Sequence, residues 1–403
     1  MDLDSGSGLL LIALGAILAL GPLTKGICRR LGTPVSVGYI VLGLILGSVI
    51  GPADAASIPI FSGTFSALAQ LGVVALLFRV GLKSHTSELL RKLPDASVIW
   101  IGNVLGTFAV GFAVSRFGLH WSLETSLVLG TAFSATSIAI SLAVWDELGL
   151  ANSDTGAMLL DVAELDDLSA VVLLAVLLGT LPGMLNGDDS LWIRVGSSSI
   201  FVLVKLAIFI AGCYLFAHYL EARFTDFNRR MSDTRASLTI SILGAGLVIA
   251  AIADYMGFSS AIGALFAGLA FSRDPEAVRT DGNFTYFYEF LTPFFFIHIG
   301  MQVELGMLVD SIDVGLLLLV MAVVSKLVFT IAPALLSMNR RNAVNLGISM
   351  VPRAEIALVV IYECQVIDNR IVPPEMFAGI VLVSLATSIV SPIALRRILS
   401  AGT

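Results

Sequence analysis

The chain has 403 residues, of which 57% are apolar and only 13% charged, with a net charge of −7 and a mean hydropathy of +0.94. Soluble proteins average about 25% charged residues, so this composition excludes an ordinary soluble domain. With many apolar runs of 18 residues or more, it describes a polytopic α-helical membrane protein.

Met1–Gly8 is acidic and polar, without the basic stretch of a cleavable signal. Thirteen apolar elements follow, at roughly 8–24, 35–50, 64–82, 95–115, 123–145, 156–180, 197–217, 236–253, 257–271, 285–301, 315–338, 343–363 and 373–395. The linkers are short, so a single membrane domain is expected, with no soluble regulatory domain. Of the 23 Lys and Arg residues, sixteen fall in one set of alternate loops. Only Arg116, Arg194 and Arg370 fall in the other set, and Arg79, Lys205, Lys326 and Arg353 lie within elements. That asymmetry predicts an N-terminus outside and a C-terminus in the cytoplasm. Trp121, Trp145 and Trp192 sit at element ends, where an interfacial aromatic belt would place them. Cys28, Cys213 and Cys364 are few and widely spaced, which argues against a disulfide framework or a zinc site. No nucleotide-binding glycine motif or basic nucleic-acid patch is present.

Elements two and nine share a pattern. Gly38 and Gly43 lie five apart in Ser36-Val-Gly-Tyr-Ile-Val-Leu-Gly, as do Gly263 and Gly268 in Ala261-Ile-Gly-Ala-Leu-Phe-Ala-Gly. An offset of seven elements reverses orientation, so this is the mark of an inverted-topology repeat. The same offset pairs element five with twelve and six with thirteen. In such repeats, matched discontinuous helices form the site near mid-membrane. Element five holds Gly130-Thr-Ala-Phe-Ser-Ala-Thr136-Ser137, whose hydroxyls can bond freed backbone groups or ligate a cation. Element twelve holds Pro352, which removes a backbone donor, followed by Arg353 and Glu355, suited to neutralising exposed half-helix ends. Two crossing broken helices are therefore expected.

Element six carries Asp161-Val-Ala-Glu164-Leu-Asp166-Asp167 inside a hydrophobic helix. A mid-membrane acid pair costs on the order of 5–7 kcal/mol on insertion scales, and an intramembrane ionisable residue is a functional-site hypothesis by default. Lys326, mid-element in eleven, needs a carboxylate partner at its own depth. Asp161 and Glu164 either line an aqueous funnel together with Ser137 or are solvated near the interface. Thr136 is either a site hydroxyl or a packing hydroxyl. His298 reads as a packing histidine, and Arg79, near the inner end of element three, as an arginine that can snorkel; Lys205 has no evident role.

Taken in order, Leu31-Gly-Thr-Pro-Val-Ser-Val-Gly-Tyr-Ile-Val-Leu-Gly-Leu-Ile-Leu-Gly, Leu71-Gly-Val-Val-Ala-Leu-Leu-Phe-Arg-Val-Gly-Leu, Ala135-Thr-Ser-Ile, Leu165-Asp-Asp, Phe294-Phe-Phe-Ile-His-Ile-Gly-Met, Lys326 and Val351-Pro-Arg-Ala-Glu span nearly the whole chain. In these motifs it resembles the cation:proton antiporter-2 family, within its bacterial sodium/proton antiporter branch. The resemblance implies thirteen helices, a homodimer and an inner-membrane location. It also implies a dimerisation part at about 8–82 and 236–301, a mobile core at about 95–180 and 315–395, and a linker helix at about 197–217. By the same resemblance, Asp167 matches the cation-binding and proton-carrying aspartate, Asp166 the partner of Lys326, and Thr136 the threonine beside the sodium site. The double aspartate goes with electrogenic exchange in that family. Glu164, Asp161 and Arg79 depart from its pattern. The function expected is exchange of cytoplasmic sodium or lithium for external protons, serving pH homeostasis, with no cofactor and no partner beyond the lipid bilayer and a second copy. A potassium/proton exchanger on the same fold is the alternative. An intramembrane aspartyl protease is disfavoured because no Gly-x-Gly-Asp occurs, and a channel because no carbonyl filter repeats.

Overall fold

The structure is a computed structural model and describes residues 3–50, 59–83, 86–151, 153–185, 191–231, 235–272, 281–303, 306 and 310–400. Arg273 and Arg279, two of the loop cations that set the expected orientation, lie outside the described residues. Sixteen α-helices and no strand occur among the described residues: α1 Leu3–Leu31, α2 Val35–Ile50, α3 Pro59–Lys83, α4 Thr86–Ala113, α5 Leu123–Ser134, α6 Ile138–Glu147, α7 Asp154–Leu185, α8 Leu191–Leu215, α9 Glu221–Met231, α10 Arg235–Tyr255, α11 Ser260–Phe271, α12 Asp281–Met301, α13 Ile312–Ala334, α14 Arg340–Ser349, α15 Glu355–Ile367 and α16 Pro374–Ser400. Seven helical stretches among the described residues are long and apolar enough to cross a membrane, and Val35–Ser48 and Ser260–Phe271 are shorter apolar helices. The protein is a multi-pass, all-helical membrane protein.

Every one of the thirteen apolar elements falls on helix, and elements five and twelve are each split in two. Element seven runs further than its apolar pattern. A π-turn at Phe216–Leu220 carries α8 straight into the polar α9, whose buried Glu221 accepts from Thr225 Oγ1 at 2.9 Å. Hydropathy ends there, but helical propensity and that i,i+4 bond do not.

The chain forms two compact units, one of residues 1–58, 89–174 and 296–403 and one of 59–88 and 175–295. In the first, α16 packs on α13, α14 and α6, and α15 packs on α5. In the second, α3 packs on α11, which packs on α10, around Phe78, Phe271 and Phe284. Two orphan cations find their places in this second unit. Lys205 Nζ donates to the Met256 carbonyl at 3.0 Å, just past the end of α10. Arg79 lies over the Tyr288 ring at 4.2 Å and reaches Thr285 Oγ1 at 3.4 Å, so it is packed rather than merely extended to the interface.

The repeated glycines sit at matching crossings. A methyl on Gly38 would strike Thr24 and Cys28 of α1, and one on Gly43 would strike the backbone at Ile297 and Gly300 of α12. A methyl on Gly263 would strike Ala250 and Ala253 of α10, and one on Gly268 the backbone at Phe78 and Gly81 of α3. Element two (α2) thus meets elements one and ten where element nine (α11) meets elements eight and three, each shifted by the offset of seven that the glycine pattern predicts.

Candidate functional site

The site is built where the two interruptions meet. Ser122 caps the start of α5 and Asn339 caps α14. These half-helices of 12 and 10 residues rise only about 15–18 Å, roughly half of a 30 Å hydrocarbon core. After Ser134 the chain goes extended at Ala135 and Ser137 before α6 begins. After Ser349 it passes Val351 and Pro352 before α15 begins at Glu355, because the residue before a proline is driven from helical geometry. The two non-helical segments touch: Ser137 N–H donates to the Pro352 carbonyl at 2.8 Å.

Four helix ends meet at this crossing, and their free backbone groups need partners. Arg353, 1% exposed, serves the carbonyl end of α5. Its Nη1 donates to Ala132 and Ala135 oxygens at 3.3 and 3.2 Å and to Phe133 O, and its Nη2 to Ala322 O at 3.3 Å. Its guanidinium also lies over the Phe133 ring at 4.8 Å. Ser141 Oγ on α6 serves the carbonyl end of α14, donating to Ser349 O at 2.6 Å. Glu355 opens α15, where a carboxylate complements the positive end of the helix, and accepts from Ser137 Oγ, the residue preceding α6, at 2.7 Å. Trp145, read from sequence as an interfacial belt residue, is instead 2% exposed and donates to Ser349 Oγ at 2.9 Å. Packing against the broken helix explains its position better than an aromatic belt does.

Beside this crossing lie the aspartates of α7. Asp166 and Lys326 are both fully buried and 2.9 Å apart. Three donors converge on one oxygen, Asp166 Oδ2: Lys326 Nζ, Thr136 Oγ1 at 2.8 Å, and the Asn103 amide. Lys326 Nζ also donates to the Ser134 carbonyl at 3.0 Å, which ties it to the end of α5. Asp166 Oδ1 is buried with no hydrogen-bond partner, and so is Asp167 Oδ1. Asp167 is half-buried and within Coulombic reach of Asp166, Glu355, Lys326 and Glu164. Asp161 and Glu164 are half-buried on the same helix. Ser137 is buried and engaged by Glu355. Thr136 thus bonds Asp166 rather than Asp167. His298 contacts Gln302 at 2.8 Å and stands edge-on to Tyr362.

Two members of this cluster carry only a weak signal in the sequence. Asn103 is fully buried, with its Oδ1 accepting from Thr330 Oγ1 at 3.2 Å and its main-chain oxygen from Thr107 Oγ1 at 2.6 Å. A lone amide inside apolar element four was the available clue. Thr330 lies four residues after Lys326, on the same helix face.

Fold and site together define a class, that of helical transport proteins whose two interrupted helices cross beside buried charges. A family model described as "Sodium/hydrogen exchanger, transmembrane" matches residues 15–401, and the chain belongs to that family. It is 24% identical to the "High-affinity Na(+)/H(+) antiporter NhaS3" of Synechocystis, across 96% of this chain and 89% of that protein. It is 25% identical to the "Na(+)/H(+)-K(+) antiporter GerN" of Bacillus cereus, across 90% of this chain and 89% of that one. Among solved structures it is similar in fold to the sodium proton antiporter MjNhaP1 from Methanocaldococcus jannaschii, with a TM-score of 0.70 at 18% identity, covering 98% of each chain.

Proposed function

We propose that this protein is a secondary active antiporter that exchanges cytoplasmic sodium, or lithium, for external protons by alternating access. One observation carries the reading: a fully buried Asp166–Lys326 pair, next to a second carboxylate, lies at the crossing of two broken helices. An acid pair placed there is costly unless it is used, and discontinuous helices are where such transporters bind ions.

In this mechanism Asp167 is the cation-binding and proton-carrying carboxylate, and sodium and proton compete for it. Asp166 holds Lys326 while ionised, and the pair opens when Asp166 takes a proton. Thr136 adds its hydroxyl oxygen beside the site. Arg353 and Glu355 neutralise the half-helix ends so that the crossing moves as one body. Asp161 and Glu164 line the cytoplasmic approach. The core at about 95–180 and 315–395 moves against a dimerising part at about 8–82 and 236–301, linked by the helix at about 197–217, in a homodimer. Loop cations set the N-terminus outside and the C-terminus in the cytoplasm, in a bacterial cytoplasmic membrane. Two protons exchanged per sodium moves one net charge, worth about 2.3 kcal/mol per 100 mV, so exchange is electrogenic.

The name of the Bacillus cereus relative includes potassium, so potassium/proton exchange is the second reading. The deciding experiment is proton flux in liposomes holding the purified protein, on addition of sodium, lithium or potassium, with the membrane potential first clamped and then released. A sodium response that generates a potential is expected. A response to potassium alone, without a potential, selects the second reading. Asp167→Ala is expected to abolish cation-driven proton flux, and full flux in that variant refutes the assignment of the site.

A further inference from the structure

The Asp166 carboxylate is loaded on one side only. Lys326, Thr136 and Asn103 all donate to Oδ2, while Oδ1 is buried and bare. Asp167 Oδ1, on the next residue, is a second bare buried oxygen. Buried polar atoms are normally hydrogen-bonded, and a carboxylate can accept about four bonds, two at each oxygen. Two such oxygens on consecutive residues, each without a donor, therefore mark a place for a guest that itself seeks oxygen. What keeps the carboxylate turned this way is not the lysine alone. The Asn103 amide is pinned at its other end, because its Oδ1 accepts from Thr330 Oγ1 at 3.2 Å. Its NH2 is thereby directed at Asp166 and cannot turn round without losing that bond. Thr330 lies one turn beyond Lys326, so α13 reaches Asp166 twice: directly by charge, and through Thr330 and Asn103 without charge. Asn103, Thr330, Asp166 and Lys326 are all 0% exposed.

We propose that Asn103, held by Thr330, is a positioning residue that sets cation specificity. It locks the Asp166 carboxylate so that Oδ1 is presented together with Asp167 Oδ1 as a ligand for a dehydrated alkali cation. The inference rests on the exchange reading above and adds to it that Asp166 contributes a ligand oxygen while still bound to Lys326. Hard cations take oxygen ligands, and discrimination between cation sizes depends on ligand number and on how far the ligands can move. A carboxylate clamped by three donors cannot back away to fit a larger ion. With the clamp loosened it can, so the smaller ion loses its advantage.

The test measures exchange by the full-length protein in liposomes at one fixed pH, with sodium and with potassium, for the wild type, Asn103→Leu, Thr330→Val and the double variant. Loss of one hydrogen bond to a charged group is expected to raise the sodium KM about tenfold in Asn103→Leu, with a smaller rise for potassium, so the sodium preference falls. Thr330→Val moves the preference in the same direction by less. The double variant is no worse than Asn103→Leu alone, since Thr330 acts only through Asn103. An unchanged ratio of the two KM values overturns the proposal. So does a fall in kcat for both ions alike with KM unmoved, which is what a purely structural role would give, or full additivity of the two variants. If Asn103→Leu does not fold, the isosteric Thr330→Val carries the KM ratio by itself. A wild type that exchanges none of the alkali cations would instead defeat the exchange reading, and is told apart by that control.

Discussion

Removing the ammonium of Lys326 leaves Asp166 as a buried carboxylate with neutral donors only. Breaking a buried pair from one side costs about 3–5 kcal/mol, so Lys326→Ala is expected to melt far below the wild type in detergent. Lys326→Ala combined with Asp166→Ala should recover part of that loss, and a double variant as unstable as the single one would mean that the pair is not what holds α7 to α13. At the loop end of α15 lies a different kind of pair, Asp368 with Arg370 at 2.6 Å, with Arg370 largely exposed. Hydrogen bonds from Arg370 lower the Asp368 carboxyl from its ordinary range to about 2. A depressed acid stabilises the fold above its unfolded value and loses that contribution as pH falls. The wild type should therefore hold a small stability margin over Arg370→Gln above about pH 4, and that margin should disappear as pH falls towards 2; thermal melts across this window check it. Asp166, Asp167 and Lys326 were legible in the sequence because a charge in a hydrophobic helix is expensive and stands out. Asn103 and Thr330 are neutral, cost less in such a helix than a charge does, and so carry a weaker mark. Their importance comes only from what they touch.

The breaks in elements five and twelve were readable from local chemistry: a hydroxyl-rich run in one, and Pro352 flanked by charges in the other. What was not readable is which end each charge would serve. Arg353 follows Pro352 in sequence yet caps α5, more than two hundred residues earlier, with a planar fork that reaches several carbonyls at once. Lysine has no such fork. Arg353→Lys should therefore lose thermal stability by about 2 kcal/mol or more, given that unsatisfied buried carbonyls cost about 1–3 kcal/mol each. A variant that melts like the wild type would show that these carbonyls need no such partner. The extension of α8 through a π-turn into α9 is hidden from hydropathy for a related reason. Hydropathy reports where a helix leaves apolar surroundings, not where its backbone bonds stop. Trp145 misled in the same way, since an aromatic at an element end reads as interfacial whether it faces a headgroup or, as here, the hydroxyl of Ser349.

At the scale of the whole molecule, two five-residue glycine spacings and an element count were enough to suggest an inverted repeat, and the crossings at Gly38, Gly43, Gly263 and Gly268 fall where that repeat requires. How the helices would pack at those crossings depends on distant partners such as Gly300 and Gly81, which no local pattern names. If one ancestral half was copied and inverted, the chain inherited the same steric demand twice and has kept it through a sequence otherwise rewritten. Tolerance to substitution should then come in pairs. An alanine at position 43 or at position 268 forces a methyl into facing backbone and should cost about 1–3 kcal/mol in either half, to similar extents, whereas Gly212→Ala, with open space around it, should be neutral or stabilising. A saturation map of the chain would show the valley at 43 and 300 reappearing at 268 and 81, so that the fitness landscape of this protein, like its helices, folds back on itself.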